Sequence, residues 1–244
     1  GTDPNEVKAK VTDNHGNPLS GQAVSFSVDN GAVLSASTVD TGGDGIAAVT
    51  LTSTTAGVSN VTASINGSSQ MVSVSFTADN HSARIASGDL VVVTNNAVAN
   101  GTDPNEVRAA VTDAQGNPLS GQTVSFSVDN GAVLSASTVD TGEGGIAAVT
   151  LTSTTAGVSH VTASINGSSQ IVSVDFTAED AFIFTGGLTI VKNNAAANGT
   201  DPNEVKAKVT DNHGNPLSGQ AVSFSVDNGA VLSASTVDTG GDGI

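Results

Sequence analysis

Four side-chain types in this 244-residue chain have the chemistry for a reaction or a metal, and their spacing decides what they do. Histidine comes first, as the side chain that titrates near neutral pH and ligates metals. His15 and His213 fall in the turn D-N-H-G-N-P, where the middle copy of the same turn carries Gln115; His160 stands where an earlier copy has Asn60, and His81 is isolated in a linker. A catalytic or metal-binding imidazole needs fixed partners, so these four are expected to be exposed turn and linker residues. Carboxylates come second: Asp103 with Asn105 and Glu106, Asp129-Asn130, Asp140, and Glu179-Asp180. Hard oxygen ligands of this kind suit calcium, and loops carrying them could meet at a domain junction. No D-x-D-x-D-G loop with a closing Glu is present, and Asp and Asn are also common turn formers. The expectation is no resident metal or cofactor, with calcium at acidic inter-domain loops as the alternative.

Serine and threonine are abundant, but no G-x-S-x-G elbow sits before a helical pattern, so neither a catalytic site nor an enzyme is expected. Asn66-Gly67-Ser68 and Asn100-Gly101-Thr102 match glycosylation acceptors, although a hairpin turn accounts for the first. An internal Lys–Asn isopeptide bond is excluded for the middle of the chain, because no lysine lies between Lys10 and Lys192.

The elements that carry these residues repeat. G-T-D-P-N-E-V begins at Gly1, Gly101 and Gly199; residues 101–180 differ from 1–80 at 12 positions, and 199–244 match 1–46 at all 46. A period near 100 is too long for a solenoid unit and suits a whole small β domain. Within each copy the strand signal is period two. Val124, Phe126 and Val128 alternate with Thr123, Ser125 and Ser127, and Asp129-Asn130-Gly131 stops the run. Val107, Ala109 and Val111 point inward from 106–112, as do Ala147, Val149 and Leu151 from 146–152. Further strands place Val161, Ala163 and Ile165, and then Val172, Val174 and Phe176, on the dry face. Short strands are expected over 89–94, 132–134 and 136–139, with N-N-A-V-A-N-G-T-D-P-N as loop and Asn166-Gly167 as a hairpin turn. Phe126 and Phe176, the largest side chains of their copy, are expected to form one core centre.

Seven or eight short strands with turn signals every eight to twelve residues and no helical period predict an all-β fold: tandem antiparallel immunoglobulin-like sandwiches. With no Cys, they lack disulfides. The expected domains are 1–80, lacking its first strand, 81–180, complete, and 181–244, the N-terminal part of a third that is not stable alone. A net charge of −16 opposes nucleic acid and anionic lipid as partners. No apolar run reaches the ~18 residues of a membrane span, so no membrane insertion of this segment is expected, and Gly1-Thr2-Asp3 does not resemble an export signal.

The succession G-T-D-x-N-x-V, V-T-D-x-x-G-N-P-L-S-G-Q-x-V-x-F, D-N-G-A, T-x-x-x-G-I-A-x-V-T-L-T-S-T-x-A-G and V-T-A-S-I resembles the bacterial Ig-like domain of group 1, across 1–80, 101–180 and 199–244. Such domains form extracellular stalks of intimin- and invasin-type outer-membrane adhesins. The resemblance implies a cell-surface spacer on an outer-membrane-anchored protein, projecting a distal binding domain. Its partners would be adjacent Ig-like domains of the same chain, with the host-cell surface or like molecules beyond them. At ~3.3 Å per residue a seven-residue strand spans about 23 Å, and end loops bring each bead to about 35–40 Å. The alternative function is a module binding a host protein or another copy in trans; the absence of Trp and Tyr argues against a sugar-stacking platform.

Overall fold

A computed structural model describes residues 4–244; the opening Gly1-Thr2-Asp3, and with it the reading of that segment as no export signal, lies outside the described residues. The chain forms two compact units that do not follow the repeat. Unit 1 comprises Gly1–Arg84, Val111–Gln122 and Glu143–Gly145, and unit 2 comprises Ile85–Ala110, Thr123–Gly142 and Ile146–Ile244.

In unit 1, β1 (Asn5–Lys10), β2 (Ala23–Val28), β3 (Val33–Leu34), β4 (Thr38–Asp40), β5 (Ile46–Thr52), β6 (Gly57–Ile65) and β7 (Ser68–Phe76) form two antiparallel sheets, ordered β1-β5-β3 and β4-β2-β6-β7. Alternation sends one face of each sheet into a shared core. Val24, Phe26, Ala47, Val49, Leu51 and Val61 are buried there, with Val74 and Phe76 packed against them. At the β6–β7 hairpin Asn66 and Gly67 both take positive φ, 49° and 81°, the primed turn that matches strand twist. A short 3-10 turn, Asn80–Ser82, follows β7 where the sequence shows no helical period.

Unit 2 contains β8 (Leu90–Thr94), β9 (Ala97–Val98), β10 (Asn105–Ala110), β11 (Thr123–Val128), β12 (Val133–Leu134), β13 (Thr138–Asp140), β14 (Ile146–Thr152), β15 (Gly157–Ile165) and β16 (Ser168–Thr177). They form the sheets β12-β14-β10-β8 and β13-β11-β15-β16-β9. The third copy adds β17 (Leu188–Lys192) paired with β18 (Glu204–Ala207), and β19 (Ala221–Ser223) paired with β20 (Thr236–Asp238). Of the inward residues expected from period two, Val107, Ala109, Val111, Val124, Phe126, Ala147, Val149, Leu151, Val161, Ala163, Ile165, Val174 and Phe176 are buried, whereas Val128 and Val172 are half-buried.

Two expectations need correction. The stretch read as loop contains β9, which pairs in parallel with β16, Phe176 against Ala97 and Thr177 against Val98. Asn96 makes this possible: its φ of 62° turns the chain out of the β8 sheet and toward β16, where Asn96 N–H donates to Asp175 O at 3.1 Å and Ala99 N–H to Thr177 O at 2.7 Å. Phe126 and Phe176 do not form one centre either. Phe126 is opposite Ala163 and Phe176 is opposite Gly157, so the run of β15 between those two residues, about 20 Å at ~3.3 Å per residue, separates the rings. Each ring fills its own level of the sandwich, and both are buried.

Candidate interaction site: the Asp–Asn turn

Most of the residues singled out for chemistry are committed to structure. Asn105 is fully buried; its Oδ1 accepts from Ala97 N–H at 3.1 Å and its Nδ2 donates to Asp175 O at 3.0 Å. Glu106 pairs with Arg108 on the same strand at 2.7 Å. The Asp103 N–H donates to Asn100 Oδ1 at 2.9 Å, closing the loop before β10. Asp129 accepts from His160 N–H and meets His160 Nδ1 at 2.8 Å, and these contacts, the main-chain one foremost, hold its pKa below the usual carboxylate value. Asn130 donates to Val158 O, and Asp140 accepts from the Thr123 hydroxyl. His160 therefore sits on a strand with an acidic partner and is not a turn residue. His213 Nδ1 likewise lies 3.5 Å from a Glu179 oxygen. Among the described residues no group of three His, Cys, Asp or Glu gathers in a metal-binding arrangement.

The structure instead brings together a set whose sequence signals only a turn. In V-T-D-x-x-G-N-P the Asp carboxylate folds back over its own loop. Asp113 Oδ1 accepts from Gln115 N–H at 2.9 Å and Asn117 N–H at 2.8 Å, and its Oδ2 accepts from Asn117 Nδ2 at 2.8 Å. Gly116, with φ of 88°, closes the loop. The Asn carboxamide then reaches across unit 1 to a loop of the preceding copy. Asn117 Oδ1 accepts from Ala56 N–H at 2.8 Å, and its Nδ2 donates to Thr54 O at 2.9 Å. Asp113 Oδ2 also accepts from Asp79 N–H at 3.2 Å, and Arg84 and Thr112 exchange main-chain hydrogen bonds at 2.9 and 3.0 Å.

The same constellation recurs inside unit 2, one copy later. Asn215 Oδ1 accepts from Ala156 N–H at 2.8 Å, Asn215 Nδ2 donates to Thr154 O at 3.0 Å, and Asp211 Oδ2 accepts from Glu179 N–H at 3.2 Å. Phe182 and Thr210 exchange the two main-chain bonds at 2.8 and 3.0 Å. Asp113 and Asp211 are both fully buried. Burial alone would push these carboxyls up, but the hydrogen bonds from the following Asn, from the linker N–H and from the turn outweigh it and hold both below the ordinary value. The turn at Asp13 keeps its internal bonds, from His15 N–H, Asn17 N–H and Asn17 Nδ2 at 2.9, 2.9 and 2.8 Å, and is exposed. The sequence held one signal for this site: Asp and Asn four residues apart recur in all three copies, while the two residues after Asp change from Asn14-His15 to Ala114-Gln115.

Repeated disulfide-free sandwiches whose turns bind the neighbouring copy define a tandem immunoglobulin-like array. The family described as bacterial Ig-like domain (group 1) matches residues 1–77, 87–177 and 185–244, and the chain belongs to that family. It is 32% identical, over 98% of its length, to the inverse autotransporter adhesin YeeJ of Escherichia coli (strain K12), of which it covers 10%. It is 39% identical, over 72% of its length, to intimin of Escherichia coli O127:H6 (strain E2348/69 / EPEC), of which it covers 18%. The chain thus spans a tenth of the first relative and less than a fifth of the second. The structure of InvD from Yersinia pseudotuberculosis is similar in fold, with a TM-score of 0.61 at 19% identity over 88% of this chain and 67% of that one.

Proposed function

We propose that this chain is a stalk segment of a bacterial cell-surface adhesin, with residues 1–80, 81–180 and 181–244 as successive Ig-like domains that hold a distal binding element away from an outer-membrane anchor. The observation that carries the reading is the repeated seating of one copy's Asp–Asn turn on the loop of the copy before it, at Asn117 and again at Asn215. A module that carries its own connector extends by repetition, and the adhesin relatives supply the surface context. The test is made on the full-length protein at the cell surface. Removing or adding copies should change the height at which the distal element is displayed and leave the affinity of that element unchanged. Loss of ligand affinity on deleting copies would contradict a spacer role.

Self-association in trans is a second reading, favoured by β16. Only its Phe176 and Thr177 pair with β9, and residues 168–174, beyond that pairing, hold no charged residue, Gly or Pro; such an edge is a template for another strand. Sedimentation of the chain at high concentration distinguishes the two, since a spacer stays monomeric.

A further inference from the structure

We infer that Asn117 and Asn215 are recognition keys, each reading the main chain of the T-T-A loop in the preceding copy, so that the partner fitted by this surface is another copy of the same repeat. The inference deepens the stalk reading and rests on it for its purpose, though not for its geometry. The loop that is read has a defined shape. Ser53 Oγ donates to Thr55 O at 2.9 Å and accepts from Thr55 N–H at 3.0 Å, and this local turn leaves Thr54 C=O and Ala56 N–H for the Asn. Ser153 folds Thr155 in the same way at 2.9 Å in both directions.

A carboxamide is the one side-chain group of this length with a donor and an acceptor side by side, and here it uses both at once on an acceptor and a donor two residues apart. The Asp behind it removes the remaining freedom. By accepting from Nδ2, Asp113 and Asp211 fix which end of the carboxamide is the donor. They also take the linker N–H of Asp79 or Glu179, so the linker and the loop are gathered onto one turn. The turn at Asp13 has the same internal bonds and, among the described residues, none of these further contacts, so the key is organised before its loop arrives. Pre-organisation of this kind lowers the ordering cost of association. Substitutes fail for separate reasons: Asp lacks the donor for Thr54 O and would face Asp113, Ala has neither group, and Gln carries its carboxamide one methylene too far.

The two seatings are made by different surroundings, which separates the key from incidental contact. Around the first lie Gln115 and the Asn80–Ser82 turn, with Ser82 Oγ accepting from Ala114 N–H at 3.1 Å. Around the second lie His213 and Glu179. The Asn contacts are common to both.

The test is amide hydrogen exchange, followed by NMR on the whole chain carrying Asn117→Ala, Asn215→Ala or the isosteric Asn117→Asp. Asn117→Ala and Asn117→Asp should each speed exchange at Ala56 about tenfold, as expected when a protecting hydrogen bond is lost, while Ala156 and the core amides of Val49 and Val149 keep their protection. Asn215→Ala should give the mirror result, with Ala156 freed and Ala56 unchanged. Unchanged exchange at Ala56 in a folded Asn117→Ala chain would overturn the key. So would loss of protection at Val49 and Val149, which would make Asn117 a residue of the fold and not of recognition. If the key fails in either way while displayed height still follows copy number, the stalk reading survives without it.

Discussion

The side chain of Asn105, on β10 in one sheet, donates to the main-chain oxygen of Asp175, on β16 in the other, at 3.0 Å. With Ala97 N–H on its Oδ1 at 3.1 Å, the same carboxamide holds β9 as well. A fully buried residue thus ties three strands of the sandwich, and the Asn of G-T-D-P-N-E-V is explained by the fold. Replacing it with Ala would leave the half-buried Ala97 N–H without its acceptor, while Asp175 O keeps the Asn96 N–H. Asn105→Ala is therefore expected to lower the stability of the middle sandwich by about 1–3 kcal/mol, read by chemical denaturation. A change below the error of the extrapolation would contradict the assignment.

Gly145 admits no side chain. Its φ is 75°, and a Cβ there would stand 2.5 Å from Val111 O and 2.9 Å from Leu119 N. The neighbours are main chain and cannot rotate away. Gly145→Ala should destabilise by about 2 kcal/mol or more. Gly116→Ala is the control, since its φ of 88° is as unfavourable but the space around it is open; it should cost about 1 kcal/mol. Equal losses in thermal denaturation would show that crowding at Gly145 is not the cause.

Ser59 and Ser159 are fully buried with hydroxyl oxygens that find no hydrogen-bond partner among the described residues. An unpaired hydroxyl in an apolar core is a net cost. Ser159→Ala is expected to raise stability by about 1 kcal/mol, seen as a higher midpoint in denaturant with an unchanged slope. A lower midpoint would mean that the hydroxyl is satisfied in solution.

The Asp113 and Asp211 carboxyls titrate below the ordinary carboxylate value. For a depressed acid the stabilising contribution is present above the unfolded pKa, about 3.9 for Asp, and is lost as pH falls through the lower folded value. The seatings at Ala56 and Ala156 should therefore be unchanged from pH 7 to about 5 and weaken only below about pH 4. Hydrogen exchange at those two amides across a pH series, corrected for intrinsic rates, checks this. Loosening that begins near pH 6 would point to histidine instead.

The strands were legible because one period governed them. The expected strand over 146–152 coincides residue for residue with β14, Ile146–Thr152, since its buried Ala147, Val149 and Leu151 alternate with exposed neighbours. Asn66-Gly67 and Asn166-Gly167 announced their hairpins through a backbone conformation that few other pairs adopt. β9 was hidden for the opposite reason. Two residues cannot show a period, and what places Ala97 and Val98 is the long-range grip of Asn105 and β16. The two Phe rings misled because size predicts burial but not register; only the pairing of each strand with β15 sets their separation. Asn117 was invisible as a binding residue because a side chain that caps its own turn and one that grips a neighbour have the same local sequence. Of the acidic residues with the chemistry for calcium, Asp129 holds a main-chain N–H, Asp140 the Thr123 hydroxyl and Glu106 the Arg108 side chain, partners far away in sequence or two residues on that composition alone does not show.

If the proposed stalk extends by repetition, its length follows copy number. Small-angle scattering would compare this chain with one carrying a further copy of residues 101–198. The maximum dimension should rise by about 35–40 Å for the added copy, the length of one sandwich with its end loops. A compact profile, with little change in maximum dimension as the mass increases, would contradict it.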